Sequence, residues 1–208
     1  MNPQFLLPNR PLAVAILGSS GAVGKELLAL LEERSFPIKK LILLASHRSA
    51  GVIQNFCGNK IRVQETTQES FKNVDLVLVS IGGNDVFQLT PPWIWIKNIE
   101  NCIKLIFQKN KNPIILFSPV PPVGKFPAIP NPLRVALGFW GFLLQGCLAQ
   151  VINSMDNAYL LDERYPDGKK YYLEDGIHPS QLAYEPWSEK LANLTVDILN
   201  QKKLQIDS

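Results

Sequence analysis

The chain has 208 residues, 46% of them apolar and 19% charged, with a formal net charge of +3. This composition excludes a disordered chain and suits one α/β domain spanning 1–208. The small, scattered positive charge gives no reason to expect a nucleic-acid partner. Three cysteines, Cys57, Cys102 and Cys147, stand far apart; so sparse and odd a set points to reduced thiols, not to a disulfide framework or a metal site.

Residues 1–10 read as a loose arm without a secretory signal, so a cytoplasmic location is expected. The apolar run 13–17 predicts a buried strand, which feeds the glycine turn Gly18-Ser19-Ser20-Gly21-Ala22-Val23-Gly24. A helix follows over about 23–34, with Leu27, Leu28, Leu30 and Leu31 as its apolar face. A second strand is expected at 41–44, and a hairpin over 52–64 with Gly58-Asn59 at its turn. A short helix at 68–72 precedes a third strand at 75–80. Pro91-Pro92 starts a helix over 93–108, and 114–117 is the fourth strand. The Pro-rich stretch 119–132 is long for a loop in a compact domain, which suggests that it shapes a cleft.

Val135 to Ile152 carries no charge. It reads as a buried or lid-like helix, with membrane or lipid-surface contact as the alternative. A short fifth strand at 158–161 and a last helix over 180–200 complete the pattern. Alternating strands and helices predict a doubly wound parallel sheet, and right-handed crossovers give the order 2-1-3-4-5.

Chemistry is concentrated in Asp175-Gly176-Ile177-His178-Pro179. An Asp three residues before a His holds the imidazole in one tautomer and frees it to act as a base. The chain has only two histidines, His47 and His178. Upstream, the strand at 75–80 runs into Ile81-Gly82-Gly83-Asn84-Asp85. The Asn84 amide is a donor of the kind that stabilises an oxyanion, and Asp85 reads as a turn-stabilising partner. Together these two motifs resemble the SGNH (GDSL-type) esterase/lipase family over about residues 75–200. The resemblance implies a flavodoxin-like three-layer sandwich. It also implies Asn84 as oxyanion donor, His178 as base and Asp175 as its orienting partner. A small-molecule ester or thioester would be the substrate, and no cofactor would be required.

The front of the chain departs from that family. Where the family carries Gly-Asp-Ser, this chain has Gly18-Ser19-Ser20, which makes Ser20 the candidate nucleophile and Ser19 the fallback. A helix-capping hydroxyl is the plainer role for Ser20. Gly51 is a weak candidate for the family's second oxyanion donor. The turn, with Lys25-Glu26-Leu27-Leu28, Leu44-Ala45-Ser46-His47-Arg48-Ser49-Ala50-Gly51 and Phe71-Lys72-Asn73-Val74-Asp75, resembles instead the N-terminal part of aspartate-semialdehyde dehydrogenase, over about 11–80. That resemblance implies NADP phosphates on Gly18, Ser20, Gly21, Val23 and Gly24, with Ser46, Arg48 and Ser49 at the ribose phosphate. NADP would be a vestigial ligand, because no catalytic-cysteine motif of that family is found and dehydrogenase activity is not expected. The two resemblances meet at 75–83, so the chain reads as a chimera: an esterase, or a silent α/β protein that binds phosphate. The oligomeric state is left open by the sequence.

Overall fold

A computed structural model describes residues 10–110, 112–161, 168–180, 182–184, 193–198 and 200–201. The apolar runs form a parallel sheet from β1 (Leu12–Leu17), β2 (Ile38–Ala45), β5 (Gln64–Glu65), β6 (Leu76–Val79), β7 (Ile114–Phe117) and β8 (Ala158–Leu160), while β3 (Ile53–Phe56) and β4 (Asn59–Arg62) pair as a separate hairpin. The sheet order is β5-β2-β1-β6-β7-β8. The five main strands therefore take the expected 2-1-3-4-5 order. The short strand β5, not expected from the sequence, extends the edge beyond β2.

Side chains alternate across this sheet with the period of two that strands impose. Val14, Ile16, Leu76, Leu78 and Leu116 face one side, where they meet Leu27 and Leu28 of helix α1 (Ala22–Glu33). Ala15, Val77, Val79, Ile115 and Phe117 face the other, against helices α3 (Pro92–Lys109) and α4 (Leu133–Asn153). The result is a three-layer α/β sandwich. On α1, Leu30 and Leu31 are only partly buried, and Val23 and Gly24 join the packed face instead.

Several boundaries moved. The hairpin turns on Cys57-Gly58 and not on Gly58-Asn59, because Phe56 pairs with Asn59 and both turn residues take positive φ. Residues 68–71 form a 3₁₀ turn, too short for the α-helix expected there. A five-residue helix, α2 (Gly83–Phe87), starts within the predicted glycine turn. The expected last helix is seen at 182–184, 193–198 and 200–201, and Ser180 lies before it; its remaining positions, and most of the arm, lie outside the described residues.

Helix α4 is long and apolar enough to cross a membrane, by length and composition alone. Leu137, Leu144 and Leu148 are buried in the core, whereas Phe139 and Phe142 are 62% and 73% exposed. Two bonds fix its packed side: Trp95 Nε1 of α3 donates to Leu144 O at 3.0 Å, and Trp140 Nε1 donates to Thr90 O, just before α3, at 3.2 Å. We expect Leu144→Ala to destabilise the protein by about 2–5 kcal/mol through the cavity it leaves. Phe142→Ala, two residues away, should change stability by no more than about 0.5 kcal/mol. Urea denaturation of the two variants checks the contrast.

Candidate active site

The carboxyl ends of β1, β2 and β6 open into a cleft of about 860 Å³, the place where open α/β sheets bind ligands. The glycine turn reaches it because Gly18 holds φ +84°, and a Cβ there would stand 1.9 Å from Ser80 O. Only bare backbone can lie that close to the end of β6. The next residue turns inward: Ser19 is fully buried, and its Oγ donates to Leu44 O at 3.2 Å. Ser19 therefore anchors the turn to β2 and has no access to the cleft, which removes the fallback nucleophile. Ser20 is half-buried and lines the cleft, and among the described residues its hydroxyl has no hydrogen-bond partner. The capping role is not taken either, since the N-cap of α1 is Gly21 and makes no side-chain bond.

Asn84 lies in the first turn of α2 and lines the same cleft. It is exposed, and its side-chain amide has no partner among the described residues. Asp85 Oδ1 accepts from Thr90 Oγ1 at 3.1 Å, a turn-stabilising bond as expected.

His178 enters from the loop after β8. That loop closes through Leu173 N–H to His178 O at 2.8 Å. Gly176 is at φ +65°, where a Cβ would stand 2.7 Å from Ala128 N, so the loop is pressed against the Pro-rich stretch. Asp175 Oδ1 accepts from the N–H groups of Ile177 and His178, each at 2.9 Å, and Oδ2 lies 2.5 Å from His178 Nδ1. Nε2 is left without a partner among the described residues, and the ring lines the cleft. The Ile177 and His178 backbone donors first, and the imidazole after them, hold the Asp175 carboxyl down at about 2.

The structure thus brings Ser20, Asn84 and His178 to one cleft, with Asp175 behind His178. It does not bring Gly51 there: its N–H donates to Val63 O at 2.8 Å, and it is absent from the cleft lining. Its donor is already used by the hairpin. His47 is at the surface, 3.2 Å from Glu65 Oε2. Sequence reasoning missed Thr66, Ser80, Asn98 and Tyr172, which also line the cleft. Ser80 was signalled by the polar end of an apolar run, whereas Asn98 is one polar position on an amphipathic helix and gave no signal. Pro121, Pro122 and Phe126 line the cleft as the Pro-rich loop suggested.

The donor set at the other end suits a phosphate-bearing nucleotide. Helix α1 begins without a side-chain cap, so its first N–H groups keep no side-chain acceptor, and Gly18, Ser20, Gly21, Ala22 and Val23 line the cleft. Ser46 and Ser49 line it from the end of β2; Arg48 is exposed and outside the lining. Gly24 is also outside it. Its role is packing, since a Cβ there would meet Gly18 O at 2.2 Å.

Comparison with known proteins divides along the chain. Residues 13–98 match the semialdehyde dehydrogenase NAD-binding domain. The match passes the expected junction at 75–83 and takes in α2 and the start of α3. The chain is 57% identical over 84 residues to aspartate-semialdehyde dehydrogenase of Prochlorococcus marinus, covering 40% of this chain and 24% of that enzyme. Against the Synechocystis enzyme it is 54% identical over 74 residues, 36% of this chain and 22% of the relative. The chain thus spans about a quarter of those relatives' length. The fold, in contrast, matches a family 3 carbohydrate esterase of Clostridium thermocellum over 92% of this chain and 98% of that one, with TM-score 0.58 and 18% identity. That likeness is one of fold. A dehydrogenase-like front sequence is therefore carried in an esterase-like fold, as expected of a chimera.

Asp175 should titrate far below the ordinary range in carboxyl-detected NMR, with a midpoint near 2. Its folded value lies below its unfolded one. Its stabilising contribution is therefore complete above the ordinary value of 3.8 and is lost as the pH falls toward 2. In His178→Ala the midpoint should rise but stay below 3.8, because the two backbone donors, the larger causes, persist. A return to 3.8 would contradict this.

Proposed function

We propose that this protein is a serine ester hydrolase of the SGNH type, acting by acyl transfer on small carboxylic esters or thioesters. The observation that carries the reading is convergence. Ser20, Asn84 and His178, from three distant parts of the chain, line one cleft, and Asp175 engages His178 Nδ1. In this reading His178 Nε2 takes the hydroxyl proton as Ser20 Oγ bonds to the acyl carbon. The carbonyl electron pair moves onto oxygen, where the Asn84 amide donates to it. Asp175 stabilises the imidazolium and stays ionised. The imidazolium then passes its proton to the leaving alkoxide or thiolate as that bond breaks. Water, deprotonated in turn by His178, releases the acid and restores the Ser20 hydroxyl.

A second reading is favoured by the NAD-binding match over residues 13–98: a module that binds NADP, or another phosphate ligand, without chemistry. Bound NADP would carry hydride chemistry elsewhere in its family. Here Ser20, Gly21 and Val23 would hold its phosphates on backbone N–H groups, with Ser46, Ser49 and Arg48 toward the ribose phosphate.

A serine-directed fluorophosphonate probe with peptide mass spectrometry separates the two. The hydrolase reading expects an adduct on Ser20 that is lost in His178→Ala. Asn84→Ala should lower kcat for a p-nitrophenyl ester by roughly 10²–10³-fold, as loss of one oxyanion donor does. Unmodified Ser20 in folded protein would leave the binding module.

A further inference from the structure

We infer that the acyl site and the nucleotide-phosphate site are a single site sharing Ser20, so that a phosphate-bearing nucleotide and an acyl ester exclude one another. The inference rests on the proposed role of Ser20 and on its position. In sheet order, the cleft runs from the end of β2, with Ser46 and Ser49, across the end of β1 to the end of β6, with Gly82 and Asn84. Ser20 lies at the end of β1, immediately before the Gly21 N-cap of α1, and His178 lines the same cleft.

A phosphate accepting from the first N–H groups of α1 would sit within two residues of the Ser20 hydroxyl. That hydroxyl must be open to an incoming acyl carbon and must reach His178 Nε2 to be a nucleophile. Both demands fall on one turn, which is held in place by the close approach of Gly18 to Ser80 O and the bond of Ser19 to Leu44 O. The dinucleotide and the ester therefore compete for the same volume. The dehydrogenase-like front thus gives the proposed esterase an inhibitor class, nucleotides carrying a pyrophosphate or a 2′-phosphate.

The test uses the full chain with Ser20→Cys, which needs no working triad. The new thiol and the exposed Cys57 are modified by methyl methanethiosulfonate, and each rate is read by peptide mass spectrometry with and without NADPH. NADPH affinity is measured on the same variant by nucleotide fluorescence. NADPH at ten times its Kd should slow modification of the new thiol by about tenfold, as mass action requires, and leave Cys57 unchanged. The half-protecting concentration should equal the fluorescence Kd. Binding of NADPH with no protection would overturn the inference, because both ligands would then fit at once. Absence of NADPH binding would overturn it as well. Failure of the hydrolase reading is seen separately, as wild-type Ser20 that fluorophosphonate does not label, and does not alter the protection result.

Discussion

The site depends on one backbone contact, that of Gly18 with the Ser80 carbonyl. A side chain at Gly18 would overlap that oxygen at 1.9 Å, so the turn after β1 lies flat on the end of β6 only because the residue is glycine. Ser80 N–H donates to Leu17 O at 2.9 Å, completing the register between the two strands. This contact lies within the dehydrogenase-like front, whose match over residues 13–98 also takes in Gly82, Gly83 and Asn84. It sets Ser20 and Asn84 on adjacent strand ends of one cleft. The sheet is continuous at this point, with β6 paired in parallel to β1 on one side and to β7 on the other.

Ser19 serves the turn structurally. Ser19 points into the protein and bonds to Leu44 O, while Gln54 Nε2 donates to Ser19 O at 2.8 Å. The hairpin that supplies Gln54 belongs to the dehydrogenase-like front. The turn is thus held by partners from the same dehydrogenase-like stretch, residues 13–98, and that stretch presents Ser20 to the cleft. The His178 loop comes from the other end of the chain, and its shape is local: the Asp175 carboxylate gathers two backbone N–H groups and the imidazole, and Gly176 lets the loop press on Ala128.

Much of this was legible in the residues. The five main strands and their order followed from apolar runs separated by helix-length segments, because burial on both faces leaves a continuous hydrophobic signature. The Asp175–His178 pair was legible because its spacing alone brings the two side chains together. Strand β5 was not, since two polar residues at a sheet edge carry no apolar pattern. Helix α2 was hidden by the two glycines at its start. Gly51 was misread because a glycine in sequence does not reveal whether its N–H is already spent, and here Val63 takes it. The separation of Ser19 from Ser20 also needed coordinates: adjacent serines look alike until one turns inward.

The central claim is that Ser20 and His178 act as one unit across the junction. Its most direct test is ester hydrolysis by the wild type, Ser20→Ala, His178→Ala and the double variant, measured under identical conditions. Residues that act together lose their effect together, so the double variant should be no slower than either single one, and both singles should fall close to the background rate. Losses that multiply in the double variant, or a Ser20→Ala protein as active as the wild type, would contradict the claim.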